Sequence, residues 1–105
     1  MPSAILSASA RLDVAEAVRW IAKDSRKAAF NFRSRLDGLL EQFGDYPEAG
    51  MARPELAAEA YRFAVLRGFP YIVVYNARRR PPVVMRVLHG SQDLAQILNT
   101  LPPPE

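Results

Sequence analysis

The chain has 105 residues, half of them hydrophobic and 24% charged, which is one domain's worth of sequence with enough apolar material to build a core. With no cysteine and one histidine, it excludes disulfide scaffolds, thiolate zinc sites, cysteine nucleophiles and histidine-rich metal sites. The net charge of +3 is unevenly spread, since residues 61–90 carry six arginines and no acid while residues 1–52 hold seven basic and seven acidic side chains that cancel.

A total charge this mild does not by itself indicate nucleic acid, but it places a positive field on one part of the fold. The longest uncharged run, Leu94–Pro104, is 11 residues, short of the roughly 20 needed to cross a bilayer. The first ten residues lack a basic segment, and Arg11 and Asp13 interrupt any apolar core, so no secretory signal is expected. Together with the missing cysteines this predicts a cytoplasmic protein.

In chain order, a short apolar stretch at Ala4, Ile5 and Leu6 reads as a strand. From Ala10 the period becomes helical, with Val14, Val18, Ile21 and Ala22 on one side and Asp13, Glu16, Arg19 and Lys23 on the expected wet side. Asp24-Ser25 stops this helix and offers an N-cap for a second, whose stripe is Ala29, Phe32, Leu36, Leu39, Leu40 and Phe43 and whose expected end is Gly44. The short link between the two predicts an antiparallel helical hairpin.

Residues 45–59, with Pro47, Gly50 and Pro54, read as a loop with one helical turn after Pro54. Three β-like runs follow, at residues 61–66, 70–75 and 83–88, with short connections that predict an antiparallel meander. A last short helix over Asp93–Leu98 would be capped by Ser91, and Pro102-Pro103-Pro104 is expected to fray. The expected fold is therefore an α+β domain of order β-α-α-β-β-β, its helical hairpin covering one face of an antiparallel sheet. Because Tyr71, Val73 and Tyr75 alternate with Ile72 and Val74, the second face should be covered too, by the last helix, a loop or a partner.

Catalytic patterns are mostly missing. There is no G-x-S-x-G, P-loop or G-x-G-x-x-G signature. His89, Ser91 and Asp93 are too close in sequence for a relay, and capping accounts for the latter two. Asp13 with Glu16 and Glu55 with Glu59 read as solvated pairs. Arg62 and Arg86, both within strands, are positioned to converge on a carboxylate or phosphate, or simply to line a polar outer face. Arg78-Arg79-Arg80 reads as a solvated turn or a basic contact surface. His89 is a candidate proton-transfer group or a strand-end hydrogen-bonding residue. Trp20, beside the apolar stripe, is read as core, with a surface anchor as the alternative.

The order of these motifs resembles the RelE/ParE toxin superfamily on its ParE, plasmid-stabilisation, side. The resemblance is carried by Ser7, Ala10, Asp13-Val14, Glu16-Ala17 and Trp20-Ile21-Ala22, then Ala28-Ala29, Phe32, Leu36, Leu39 and Leu40. It continues through Pro47, Gly50, Arg53, Leu56, Arg62, Tyr71–Tyr75, Arg86-Val87-Leu88-His89-Gly90 and Asp93. Arg26 stands where relatives often have proline, and Ser91-Gln92 replaces a basic pair common before Asp93. The resemblance implies a toxin of a type II toxin–antitoxin system that binds DNA gyrase without turnover, needs no cofactor or metal, and forms a hetero-oligomer with a ParD-like antitoxin. Its implied partner-binding residues are Trp20, Arg62, Tyr71, Arg78, Arg79, Arg80, Arg86 and His89, with no membrane association and no sequence-specific nucleic-acid contact. The alternatives are an inactive interaction module and a RelE-like ribosome-dependent mRNA endonuclease, for which Arg62, Arg86 and His89 would supply part of the chemistry. That class usually carries a tyrosine near the chain's end, whereas the last tyrosine here is Tyr75.

Overall fold

The computed structural model describes residues 2–104. Its elements are β1 (Ile5–Leu6), α1 (Ala8–Ala22), α2 (Arg26–Asp45), β2 (Met51–Ala52), β3 (Tyr61–Val65), β4 (Tyr71–Asn76), β5 (Val83–His89) and α3 (Leu94–Leu98). Both long helices start at serine caps. The Ser7 hydroxyl accepts from the Ala10 amide and that of Ser25 from the Ala28 amide, each at 3.0 Å, and each cap contributes about 1 kcal/mol by satisfying an otherwise orphaned donor. Because the cap is Ser7, α1 begins two residues earlier than the apolar spacing suggested.

The second helix passes through Gly44 instead of ending there. Gly44 does not adopt a left-handed backbone; what it provides is space, since a Cβ would sit 2.1 Å from the Pro2 carbonyl oxygen. Helix propensity alone predicts that Gly44→Ala gains about 1 kcal/mol. The close approach predicts the opposite sign, a loss of about 1–3 kcal/mol from overpacking against backbone, readable by urea denaturation.

The sheet has the order β1-β5-β4-β3-β2. The meander β3–β4–β5 is antiparallel as expected, but β1 joins β5 in parallel, pairing Ile5 with Val83 and Leu6 with Val84, so the sheet is mixed. The helical hairpin carries the chain from β1 at one edge to β2 at the other. Strand β2, within the expected loop, has only two residues and pairs Met51 with Phe63 and Ala52 with Arg62, too short a run to leave a periodic trace. The single turn after Pro54 does form, with Ala57 N–H donating to Arg53 O at 3.0 Å.

The two sheet edges differ. Along β5, Ser7 N–H donates to Val84 O at 2.9 Å, the Ser7 hydroxyl to Met85 O at 3.0 Å, Val87 N–H to an Asp13 carboxylate oxygen at 2.9 Å and His89 N–H to Gln92 Oε1 at 2.7 Å. A register step between the pairs Val74–Arg86 and Tyr75–Val84 leaves Met85 as a bulged residue. On the far side, β2 covers only Arg62 and Phe63, and Ala64 and the exposed Val65 face no strand.

One face of the sheet (Val73, Tyr75, Val84, Val87) packs on Val14, Ala17, Phe32, Leu36 and Phe43 of the helices. The other (Tyr61, Phe63, Val74, Leu88) is covered by Leu98 with Leu94, Ile97 and Leu101, so the C-terminal helix and the segment after it form the expected second cover. Asp93, not Ser91, caps α3, accepting from Gln96 N–H at 3.2 Å. The expected fraying does not begin at Pro102, because the buried Tyr61 hydroxyl donates to the Pro102 carbonyl.

Burial holds the phenols of Tyr61, Tyr71 and Tyr75 above the ordinary tyrosine range. A raised acid pKa in the folded state means that unfolding is favoured once the unfolded phenols ionise. Stability should therefore be fully present below pH of about 10 and fall as pH rises through the folded values. A spectrophotometric alkaline titration should show Tyr61, Tyr71 and Tyr75 ionising late, together with loss of the fold.

Candidate functional site

The implied contact residues separate into two groups. The first lies where the C-terminal end of α1 meets the ends of β4 and β5. Tyr71 and His89 are register partners, with rings edge-to-face at 5.2 Å, and Tyr71 and Trp20 together with His89 line two adjoining hollows. One, of about 410 Å³, is completed by Asp13, Glu16, Ser91 and Gln92; the other, of about 270 Å³, by Asp24, Ser25 and Pro70. Trp20 is 63% exposed, which overturns its reading as core. The buried stripe of α1 runs through Ala10, Val14 and Ala17, and the indole stands beside it with Lys23 Nζ 5.0 Å from its centroid.

His89 Nδ1 accepts from the Ser91 amide at 3.0 Å and lies 2.7 Å from the Ser91 hydroxyl. That geometry assigns the ring proton to Nε2. Asp93 is turned away to cap α3, so His89, Ser91 and Asp93 form no relay.

Arg86 and Asp13 form the best-made ion pair among the described residues. Arg86 Nε donates to one carboxylate oxygen at 2.7 Å and an Nη to the other at 2.9 Å, with the two side chains only 24% and 14% exposed. The bond to Asp13 raises the guanidinium pKa above its usual value. Asp13 therefore does not lie on the wet face of α1, as its spacing suggested. A carboxylate that fills the gap beside a bulged strand can satisfy both the Val87 amide and Arg86, and no single-helix period records that.

Arg62 and Arg86 do not converge. They stand opposite adjacent residues of β4, Tyr75 and Val74, yet Arg62 Nη donates to the Gly50 carbonyl at 2.7 Å and more weakly to that of Glu48 at 3.4 Å. The Arg62 contact buckles the 45–59 loop, as does Tyr75, whose hydroxyl donates to Pro47 O at 2.7 Å and accepts from Gly50 N–H at 2.8 Å.

The second group gathers Arg62, Arg78 and Arg80 around a polar hollow of about 270 Å³ with Glu48 and Glu59. Arg80 is spent on the carbonyls of Ala77 and Arg79 at 2.6 and 2.9 Å. The guanidinium groups of Arg78 and Arg79 are exposed and have no partner among the described residues. Tyr75 lies four positions along β4 from Tyr71, about 13 Å at strand rise, so the two groups are distinct surfaces.

Two further grooves add to these surfaces, one largely apolar and one lined about equally by polar and apolar groups. One, of about 820 Å³, runs between α1 and α2 and is lined by Ile5, Leu6, Val18 and the exposed Phe30, with Arg11 and Arg33 at its rim. The other, of about 780 Å³, lies between α2 and the free part of β3, with Leu39, Met51 and Val65 on its apolar side and Asn31, Gln42 and Arg67 on its polar side. Phe30 and Val65, exposed apolar residues beside buried stripes, were the signals of them available in the sequence.

The helical hairpin laid on a five-stranded sheet is the architecture of RelE/ParE-like proteins, as the resemblance implied. A family model described as the ParE toxin of type II toxin-antitoxin system, parDE, matches residues 4–94, and the chain belongs to this family. A search of curated proteins returned no match. The family implies an antitoxin partner. Among the described residues no helix is long and apolar enough to cross a membrane.

Proposed function

We propose that this toxin acts in the cytoplasm as a protein-binding inhibitor of DNA gyrase, without turnover of its own, and is neutralised by a ParD-like antitoxin. The observation that carries this reading is that two of the three residues an endonuclease would use, Arg62 and Arg86, are already engaged, which leaves His89 alone at an open surface. Arg86 is held by Asp13 and Arg62 by backbone carbonyls, and the last tyrosine of the chain, Tyr75, is fully buried and so cannot stand in for the missing C-terminal one. Phosphoryl-transfer chemistry needs basic groups free to meet a developing charge, whereas docking needs open apolar surface with charged rims. The groove between α1 and α2 supplies that, and the one beside β3 adds a more polar surface. An extended antitoxin segment can add to the free part of β3, and a helical one can lie between α1 and α2.

Expression without antitoxin should arrest growth and induce the DNA-damage response, and purified protein should inhibit gyrase supercoiling. Arrest accompanied by codon-positioned cleavage of mRNA on ribosomes would replace this reading with the endonuclease. Harmless expression of folded protein would replace it with an inactive module. Arg67, Arg78 and Arg79 are exposed and their side chains lack a partner among the described residues. Antitoxin affinity should therefore fall as salt is raised, through screening of these arginines; a dissociation constant indifferent to salt would remove them from the interface.

A further inference from the structure

The hollows beside Trp20 differ in charge from the rest of the molecule. Three aromatic rings, Trp20, Tyr71 and His89, border them, and the acids around them are Asp13, Glu16 and Asp24. Asp13 is neutralised by Arg86, and His89 Nδ1 is engaged by the Ser91 amide. Glu16 and Asp24 are exposed and make no ion pair among the described residues. The facing cation is Lys23, whose ammonium already stands over the Trp20 ring. Aromatic faces attract cations through their quadrupole, and a neighbouring carboxylate adds a direct charge. A planar guanidinium suits such a seat better than an ammonium, because it stacks on an aromatic face while forking to a carboxylate.

We propose that the Trp20–Tyr71–His89 hollow, with Glu16 at its wall, is a seat for an arginine side chain of the antitoxin. The proposal rests on the toxin–antitoxin reading and adds what this surface takes. On a protein with net charge +3, an acidic aromatic seat is a point of reversed sign. A partner that answers the exposed Arg67, Arg78 and Arg79 with acidic groups meets this seat correctly in one register only, so the seat contributes specificity more than affinity.

The chain has a single tryptophan, so its fluorescence reports this seat directly. The test titrates the whole protein with N-acetyl-arginine amide and, in parallel, with the neutral N-acetyl-citrulline amide. A saturable change with the first and none with the second is expected. Glu16→Gln should weaken the response roughly three- to tenfold, and Lys23→Gln, which removes the competing cation, should strengthen it roughly two- to fivefold. Both positions are exposed, and opposite effects of two surface changes cannot come from a common loss of folding. In the co-expressed toxin–antitoxin complex the response to the arginine probe should vanish. An equal response to citrulline, no response at all, or no change in Glu16→Gln overturns the seat; a response that persists in the complex overturns its assignment to the antitoxin. Gyrase inhibition is measured separately, so loss of the seat with inhibition intact leaves the proposed function standing, and the reverse result leaves the seat standing.

Discussion

Replacing Asp13 with alanine is expected to lower folding stability by about 3 kcal/mol, because it leaves a partly buried guanidinium without its counter-charge and a strand amide without its acceptor. Three hydrogen bonds converge on this one carboxylate, two from Arg86 and one from Val87 N–H, and they join residues 73 and 74 positions apart in sequence. For a domain of this size a loss of 3 kcal/mol corresponds to roughly 12–24 °C in Tm, readable by calorimetry. The double variant Asp13→Ala with Arg86→Met should recover part of this, since an apolar side chain no longer leaves an unpaired charge behind. What remains measures the orphaned Val87 amide. A double variant no better than Asp13→Ala alone would show that the charge is dispensable and the strand amide decisive.

Tyr75→Phe is the second large effect. The ring stays stacked on Phe43, with centroids 3.9 Å apart, and its volume is nearly unchanged, so the variant removes only the hydroxyl. That hydroxyl serves both Pro47 O and Gly50 N–H, and no larger residue can replace Gly50 to compensate, since a Cβ there would lie 2.8 Å from the Tyr75 ring. Two orphaned backbone groups predict a loss of about 2–3 kcal/mol. The loss should be local, with faster amide exchange across the 45–59 loop and weakened pairing of β2, while the α1–β5 contact keeps its protection. Uniform acceleration across the chain would mean that the loop is an integral part of the cooperative core.

Much of the fold was legible in the sequence because most of it is written in short-range periods. The stripe from Ala29 to Phe43 fixes α2, and the β-branched and aromatic runs fix the meander. Both caps are hydroxyl residues at helix starts, although at the first helix the period hid which serine was used. What was not legible depends on residues far apart in sequence. Gly44 resembles a helix stop until Pro2 is packed against it. Asp13 resembles a solvated acid until the bulge at Met85 presents an amide beside it. Trp20 resembles core because an indole next to an apolar stripe usually is, and only the placement of β4 and β5 shows it standing outside. Of the contact residues, Trp20, Tyr71 and His89 come together, whereas Arg62 and Arg86, paired in the sequence reading by their shared sheet, are claimed separately by a loop and a helix.

The unequal edges of the sheet have a consequence for assembly. With β5 sealed beyond β1 by Ser7, Asp13 and Gln92, the open backbone on the opposite flank lies beyond β2, where Ala64 and Val65 pair with β4 on one side only. The β5 flank beyond β1 is thus closed to strand exchange, while the β3 flank is open to it. A guest strand added there would extend the sheet at the β2 end, away from the helix-sealed flank of β5.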